Sequence, residues 1–188
     1  MILPPTPILE TPRLILLPIR ESDAPACQRR FARWEVVRHL NAQIPWPYPA
    51  DGGETFIASQ LAKMARGALL CWRITMKGGA GEMIGGIDLW ADDGQHKDQR
   101  GFWFDPAFQR QGLMFESAER VTAYAFHDLG WPHPWLTNAE ANHGSHRIKK
   151  KQGAKIVERA MRDYVEGRLM GEIWRLERED WLARRGGW

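Results

Sequence analysis

Apolar positions recur along this chain in two rhythms, and the changes from one to the other predict its elements. Phe115, Ala118, Val121, Ala125, Phe126 and Leu129 return at three- and four-residue steps with Glu116, Glu119 and Arg120 between them, which is helical spacing. A second stretch of this kind, from about Gly53 to Arg66, puts Phe56, Ile57, Leu61, Met64 and Ala65 on one side. Further helices are expected from a cap at Ser22 or Asp23, with Pro25 in the first turn, to about Arg33, and over 34–40 and 145–152. Extended rhythm marks Thr11 to Ile19, Leu69 to Met76 and Glu82 to Trp90, the last two joined by the hairpin-type turn Gly78-Gly79-Ala80-Gly81. Phe102 to Phe104 reads as a short buried strand, stopped by Asp105 and by Pro106, which has no N–H for a ladder. Strands also fall at Pro134 to Asn138, Lys155 to Arg162 and Glu172 to Leu176, the last two flanking a turn at Glu166-Gly167. IPWPYP, residues 44–49, is irregular or extended, and 91–99 is a polar connection.

The order mixes strands and helices without a repeat or a dividing linker, so one domain over 1–188 is expected. About eight residues at its start and about six at its end should be flexible. A chain of 188 residues can bury roughly 70% of its unfolded surface. With 44% hydrophobic and 26% charged residues it is an ordinary globular sequence, neither disordered nor fibrous. A net charge of +3 favours an anionic ligand but is too small to argue for nucleic acid. Cys27 and Cys71 lack CxxC spacing, so neither a disulfide framework nor a zinc site is indicated. The start, MILPPTPILETPRL, has no basic region and no apolar run reaches membrane length, so a cytoplasmic location away from membranes is the default expectation.

Candidate chemistry concentrates after the short strand. Gln109-Arg110-Gln111-Gly112 is a basic, amide-rich loop leading straight into a helix, and such a junction aims several unpaired N–H groups at one point, a ready site for phosphate. Gln109-x-x-Gly112 followed by Met114 resembles the Q/R-x-x-G-x-G/A pyrophosphate loop of the GNAT N-acetyltransferase superfamily. The flanking GFWFDP and FESA are similar to GYWLDP and TEA of its RimJ/RimL branch. Arg110 stands where that branch usually has glycine, adding a positive charge, and Met114 where it has glycine or alanine. LETPRLILLP (Leu9 to Pro18) and IGGIDL (Ile84 to Leu89) resemble the branch's opening and central strands. Asn142-His143-Gly144-Ser145-His146-Arg147, continuing through Lys151 and Gly153 to Ala154, resembles its NxxSxRxxxKxGF helix, with Ala154 in place of phenylalanine.

The resemblance implies a GNAT fold of the α/β (α+β) class. This is a mixed, mostly antiparallel sheet of six to seven strands flanked by helices, with two central parallel strands splayed into an acyl-CoA cleft. It implies acetyl-CoA as donor, no metal, and direct transfer to a primary amine, either a protein N-terminus or a small molecule. A homodimer is left open, and a catalytically idle acyl-CoA-binding module is the alternative. Trp103, Phe104, Gln109, Arg110, Gln111, Gly112, Leu113, Met114 and Phe115 would hold the coenzyme. Asn142 would bond its pantetheine arm, and Arg147 or Lys151 would approach its phosphates. A free N–H between Trp103 and Asp105 would polarise the thioester. Ser145 would lie near the sulfur, although serine at a helix start is also an N-cap. Asp163 is the candidate base, with Asp88, Glu166 and a water relay as alternatives. An α-amino group, of pKa about 7.7–8.0, demands less of a base than a lysine at about 10.4. Trp34, Trp46, Tyr48 and Trp90, with His39, are expected at the acceptor groove or in the core. His143 and His146 have no third ligand in register, and the 149–151 lysine run reads equally as a solvated face or a phosphate lure.

Overall fold

The computed structural model describes residues 2–91, 94 and 97–185. Among the described residues eight strands lie in two hydrogen-bonded sheets. The first, in the order β1-β2-β3-β4-β5, comprises β1 (Leu9–Glu10), β2 (Leu14–Pro18), β3 (Leu69–Met76), β4 (Gly85–Trp90) and β5 (Phe102–Phe104), all antiparallel neighbours. The second, in the order β6-β8-β7, comprises β6 (Trp135–Ala139), β7 (Lys155–Tyr164) and β8 (Gly167–Arg175). The helices are α1 (Ala24–Phe31), α2 (Trp34–Val37), α3 (Gly52–Ala65), α4 (Leu113–His127), α5 (His143–Gln152) and α6 (Arg178–Arg185). None is long and apolar enough to cross a membrane.

Strand β3 explains the layering. Its seven residues Leu69 to Thr75 are all buried, as a central strand covered on both faces requires. By strand alternation Leu70, Trp72 and Ile74 enter the cluster packed on α4, with Val121 and Ala125. Leu69 and Cys71 enter the opposite cluster, with Phe31 of α1 and Ile57 of α3. A third cluster joins β6 and β8 to the end of α4 and to α6 through Leu136, Trp174, Phe126 and Trp181. Trp181 makes the tail a helix rather than a strand: it is buried, its ring lies 5.3 Å from that of Phe126, and its indole N–H donates to Glu119. Burying an aromatic side chain of this size contributes roughly 2–3 kcal/mol.

Some boundaries differ from the sequence expectation for local reasons. Asp23 occupies the N-cap of α1 but makes no side-chain capping bond there, because its carboxylate takes the Arg20 N–H at 2.9 Å and sits 3.4 Å from Arg73. The N-terminal segment, expected to be loose, lies against the body of the fold. Leu3 is buried with its N–H on the Gly67 carbonyl at 2.8 Å, and the Trp72 indole donates to Pro7 at 2.6 Å. Of the polar connection over 91–99, residues 92, 93, 95 and 96 lie outside the described residues.

Among the described residues the two sheets are joined where Gln99 meets Trp135. Gln99 donates its N–H to the Trp135 carbonyl at 2.8 Å, and its side-chain Oε1 accepts the Trp135 N–H at 2.8 Å. From that junction β5 and β6 both run onward in chain direction, so they are parallel. They share no ladder, since each pairs only on its far side. A wedge therefore opens between them.

Candidate active site

The loop between β5 and α4 turns the chain sharply into a helix start whose first N–H groups have no main-chain acceptor among the described residues. Asp105 ends β5 and accepts the Ala107 N–H at 3.0 Å, capping a single turn at Pro106–Phe108, while Arg30 of α1 pairs with its buried carboxylate. Gln109 then reaches back to the Phe104 carbonyl at 3.0 Å. Arg110 and Gly112 both have left-handed backbone, with φ of 63° and 78°, so the chain turns sharply into α4. Glycine holds that conformation freely and arginine does so at a cost of about 1 kcal/mol or more. Among the described residues the N–H groups of Arg110 to Phe115 have no main-chain acceptor, as expected of a helix start left for a ligand. Positive charge collects there. Arg13 donates to the Gln111 carbonyl at 3.1 Å and is held by Glu116 at 2.7–2.9 Å. Lys151 lies 4.6 Å from the Phe115 ring centre. Arg147 is exposed on α5. Arg13 escaped the sequence reading because its bond to α4 spans the chain.

The edge of β5 determines which amides face the wedge. In its register with β4 (Gly85↔Phe104, Gly86↔Trp103, Ile87↔Phe102), the bonds from Asp105 N–H to Ile84 and from Asp88 N–H to Gly101 fix the alternation. Trp103 and Asp105 turn their N–H groups into β4. The amide expected at Trp103 to Asp105 must therefore belong to Phe104, or to Phe102 one step earlier. The reason is that the partner strand, not the strand's end, decides which N–H groups are left over.

Across the wedge, Asn142 and not Ser145 is the N-cap of α5: its Oδ1 accepts the Ser145 N–H at 3.1 Å. Ser145 sits one turn in, and Lys149 Nζ donates to its Oγ at 2.6 Å. Lys149 belongs to the run read from sequence as a solvated face or phosphate lure, yet it is only 1% exposed and faces inward. Burial, and then the charge of Arg100, push its ammonium down to a pKa of about 7. Arg100 is itself buried and donates to Thr122 at 2.7 Å. Asn138 of β6 donates to the buried Glu172 at 2.9 Å and leaves its Oδ1 without a partner. Glu172 also takes His146 at 2.9 Å, which gives that histidine a structural partner.

Arg100, Asn138, Asn142, Ser145 and Lys149 line the floor of a cavity of about 690 Å³ whose far rim is formed by His39 to Gln43 and by Met161 to Tyr164. Asp163 lies on that rim, exposed, with its carbonyl accepting the Ala42 N–H at 3.3 Å. Glu166 pairs instead with His39 at 3.1 Å. Asp88 is half-buried behind β5, accepting the Gly101 N–H at 2.7 Å and the Trp90 indole N–H at 3.0 Å, and burial raises its pKa to about 6. The four acceptor-side aromatics are not brought to this cavity. Trp34 and Trp46 pack on each other at 5.3 Å and are partly exposed, Tyr48 packs edge-on to Phe31 at 5.2 Å, and Trp90 carries Lys63 at 4.6 Å over its ring.

Comparison with known proteins accounts for this arrangement. The family described as "Acetyltransferase (GNAT) domain" matches residues 13–155. An uncharacterized N-acetyltransferase of Bacillus subtilis, YoaA, is 31% identical over 162 residues, covering 85% of this chain and 88% of its own. Among solved structures, a Bacillus anthracis GNAT-family acetyltransferase superposes with a TM-score of 0.77 at 15% identity, covering 92% of this chain and 99% of that one. Mycobacterium smegmatis RimJ in complex with CoA-disulfide gives 0.79 at 15%, covering 96% and 92%. RimL, a ribosomal L7/L12 alpha-N-protein acetyltransferase in complex with coenzyme A, gives 0.75 at 17%, covering 91% and 98%. The paired sheets parting at Gln99, and the family match across most of their length, place this chain in the GNAT family of acetyltransferases, which use acetyl-CoA.

Proposed function

We propose that this chain transfers the acetyl group of acetyl-CoA directly to a primary amine, both substrates being held at once in the wedge between β5 and β6. One observation carries this reading: the loop at Gly112, whose amides have no main-chain acceptor among the described residues, directly follows an open strand edge. That edge is left open at the Phe104 N–H and at both main-chain groups of Phe102, the Phe104 carbonyl being held by Gln109. The pyrophosphate would take the amides of 110–115, beside Arg13 and Lys151. The pantetheine arm would run along β5 as an added strand, its amides meeting the outward N–H of Phe104 and the outward groups of Phe102, with Asn138 Oδ1 or the amide of Asn142 opposite. Holding donor and amine together removes several kcal/mol of barrier by itself.

In the reaction the amine nitrogen bonds to the thioester carbon as the carbon–sulfur bond breaks. The outward N–H of Phe102 or Phe104 stabilises charge on the carbonyl oxygen. Because Lys149 donates to Ser145 Oγ, the hydroxyl proton of Ser145 is left to donate to the departing sulfur. The amine's proton leaves by Asp163 or by water at the open rim. With an exposed acid rather than a strong buried base there, the acceptor this site suits is an α-amino group, partly neutral near pH 7. A protein N-terminus has that group, as does the acceptor named for RimL.

Calorimetry with acetyl-CoA and a thiol-release assay over N-terminal peptides, polyamines and amino sugars test this. Binding with turnover on α-amines is the expected result. Binding without turnover on any amine would mark an idle acyl-CoA module, and no binding would remove the coenzyme reading altogether.

A further inference from the structure

The floor of the wedge holds two buried cations, of which acetyl transfer uses only the Lys149 bond to Ser145 and makes no use of Arg100. Arg100 is 3% exposed and Lys149 1%, and both line the cavity. They approach the same ring: the Arg100 guanidinium carbon lies 5.9 Å and Lys149 Nζ 5.5 Å from the centre of Phe102. Arg100 uses one nitrogen on Thr122 and leaves Nε and Nη2 without any partner. Burying adjacent like charges with donors unmade is costly, so each such group calls for an explanation, and a bound anion is one that meets both the charge and the open donors.

The nearby acids do not complete the pair. Glu119 is engaged by Gln152 at 2.8 Å and by Trp181 at 3.2 Å on the side away from the cavity. Asp98 lines the same cavity and its charge acts on Lys149 and Arg100, but it is drawn first to Thr137 and among the described residues forms no ion pair with either cation. Glu172 is held by Asn138, His146 and Arg159. What is missing is a small acceptor of planar geometry, able to bridge a guanidinium edge and an ammonium. A carboxylate has that form. The site lies past Gly101 and Phe102, on the junction side of the strand edge and away from the phosphate cradle, so it would meet what extends beyond the sulfur rather than the coenzyme's own phosphates.

We infer that Arg100 and Lys149 form a carboxylate-binding subsite at the floor of the cleft, occupied by a carboxylate on one of the two substrates. The carboxylate would come from a dicarboxylic acyl chain on the donor, such as succinyl, or from the acceptor amine itself, as in an amino acid or a C-terminal fragment. With a succinyl donor the nitrogen–carbon bond still forms as the carbon–sulfur bond breaks. The amine's proton is taken up by the coenzyme thiolate or solvent, and the remote carboxylate is unchanged. This rests on the acyl-CoA reading of the same cleft.

The test compares the whole protein with Lys149→Met and Arg100→Leu. Calorimetry measures acetyl-CoA against succinyl-CoA, and kcat/KM is measured for both donors on one amine and for glycine against glycinamide with acetyl-CoA. A charge-assisted bond of this kind is worth roughly tenfold or more. If the donor carries the carboxylate, succinyl-CoA is preferred by about that factor and Lys149→Met collapses the ratio. If the acceptor carries it, the donors are equal, glycine exceeds glycinamide, and the same variant removes that preference. Should Arg100→Leu not fold, Lys149→Met and the unaltered protein's own ratios decide the question. Acetyl-CoA binding with no preference for either carboxylate, or a preference that survives in Lys149→Met, overturns the subsite alone. Failure to bind either coenzyme ester overturns it together with the acetyltransfer reading.

Discussion

Replacing Lys149 with methionine keeps the length of the side chain and removes the amine, and the effect on stability should depend on pH in a direction fixed by burial. In the folded protein the ammonium is pushed down to about 7, against 10.5 for a free lysine, first by burial and then by Arg100. Between these values the unfolded chain holds a proton that the folded chain has released. The unfolded state thus binds more protons, and the stability of the natural protein rises with pH across the window. Below pH 7 both states are protonated and the full penalty applies, about 5 kcal/mol at 1.36 kcal/mol per unit; by pH 9 about 2 kcal/mol of it remains. Lys149→Met should therefore be the more stable protein at pH 7, with an advantage that shrinks by roughly 2 kcal/mol on going to pH 9. Cys27, raised to about 12 by burial, and Asp88, at about 6, titrate alike in both proteins and cancel in the difference, whereas Asp98 and Glu172 act on Lys149 and partly oppose its downward shift. Urea denaturation of the pair at pH 7, 8 and 9 reads it directly. Two stability curves that run parallel over this range would mean that Lys149 keeps its charge freely, and that the floor of the cleft is wetter than its burial implies.

Gly112→Val meets left-handed backbone and puts a branched side chain at the phosphate cradle. It should cost about 1–2 kcal/mol of stability and reduce acetyl-CoA affinity at least tenfold by calorimetry, and unchanged affinity would contradict the cradle. Ser145→Ala should lower kcat by about tenfold while leaving the coenzyme dissociation constant within about twofold; equal losses in both would reduce Ser145 to a packing role. Asp105→Ala removes one of the two acids that Arg30 pairs with, leaving Glu82, and removes the cap of the following turn. Thermal unfolding should move down by roughly 6–12 °C, corresponding to about 3 kcal/mol, and a shift under about 2 °C would disprove the anchoring role. Gln99→Leu removes the side-chain acceptor of the Trp135 N–H and should destabilise by about 1–3 kcal/mol, seen as a lower urea midpoint.

What could be read from sequence here was what is local along the chain. The helix from Leu113 to His127 and the loop before it announce themselves through neighbours three and four residues apart, and Arg110 and Gly112 mark a turn that needs left-handed backbone. The branch's usual glycine at the Arg110 position has the same cause: the φ of 63° seen here is one glycine adopts without strain. What could not be read depends on partners far away in the chain. Arg13 reaches the cradle through Glu116, and Leu3 is buried by Gly67. Lys149 was hidden inside a run of three lysines. Ser145, Lys149 and Gln152 do share one helix face at steps of four and three, and that spacing was the available signal that the middle of a basic run pointed inward.

The opening of the cleft itself follows from a side chain imitating a strand. Gln99 gives its main-chain N–H to the Trp135 carbonyl and its side-chain carbonyl to the Trp135 N–H, so this one residue satisfies both of Trp135's main-chain groups. A strand partner would have done the same with alternate residues and carried the ladder onward. Because both bonds come from Gln99, no register is established for Gly101 to meet Thr137, and the strands are free to part. β5 then ends after three residues at Asp105 and Pro106, too short to regain a neighbour. Its alternation with β4 leaves the Phe104 N–H and the outward groups of Phe102 open along the gap, while Gln109 takes the Phe104 carbonyl. Unpaired main-chain groups in a protein interior are unfavourable unless something else completes them. An extended ligand bearing amides of its own answers that need, and a cleft built from a ladder interrupted at one glutamine is shaped to receive it.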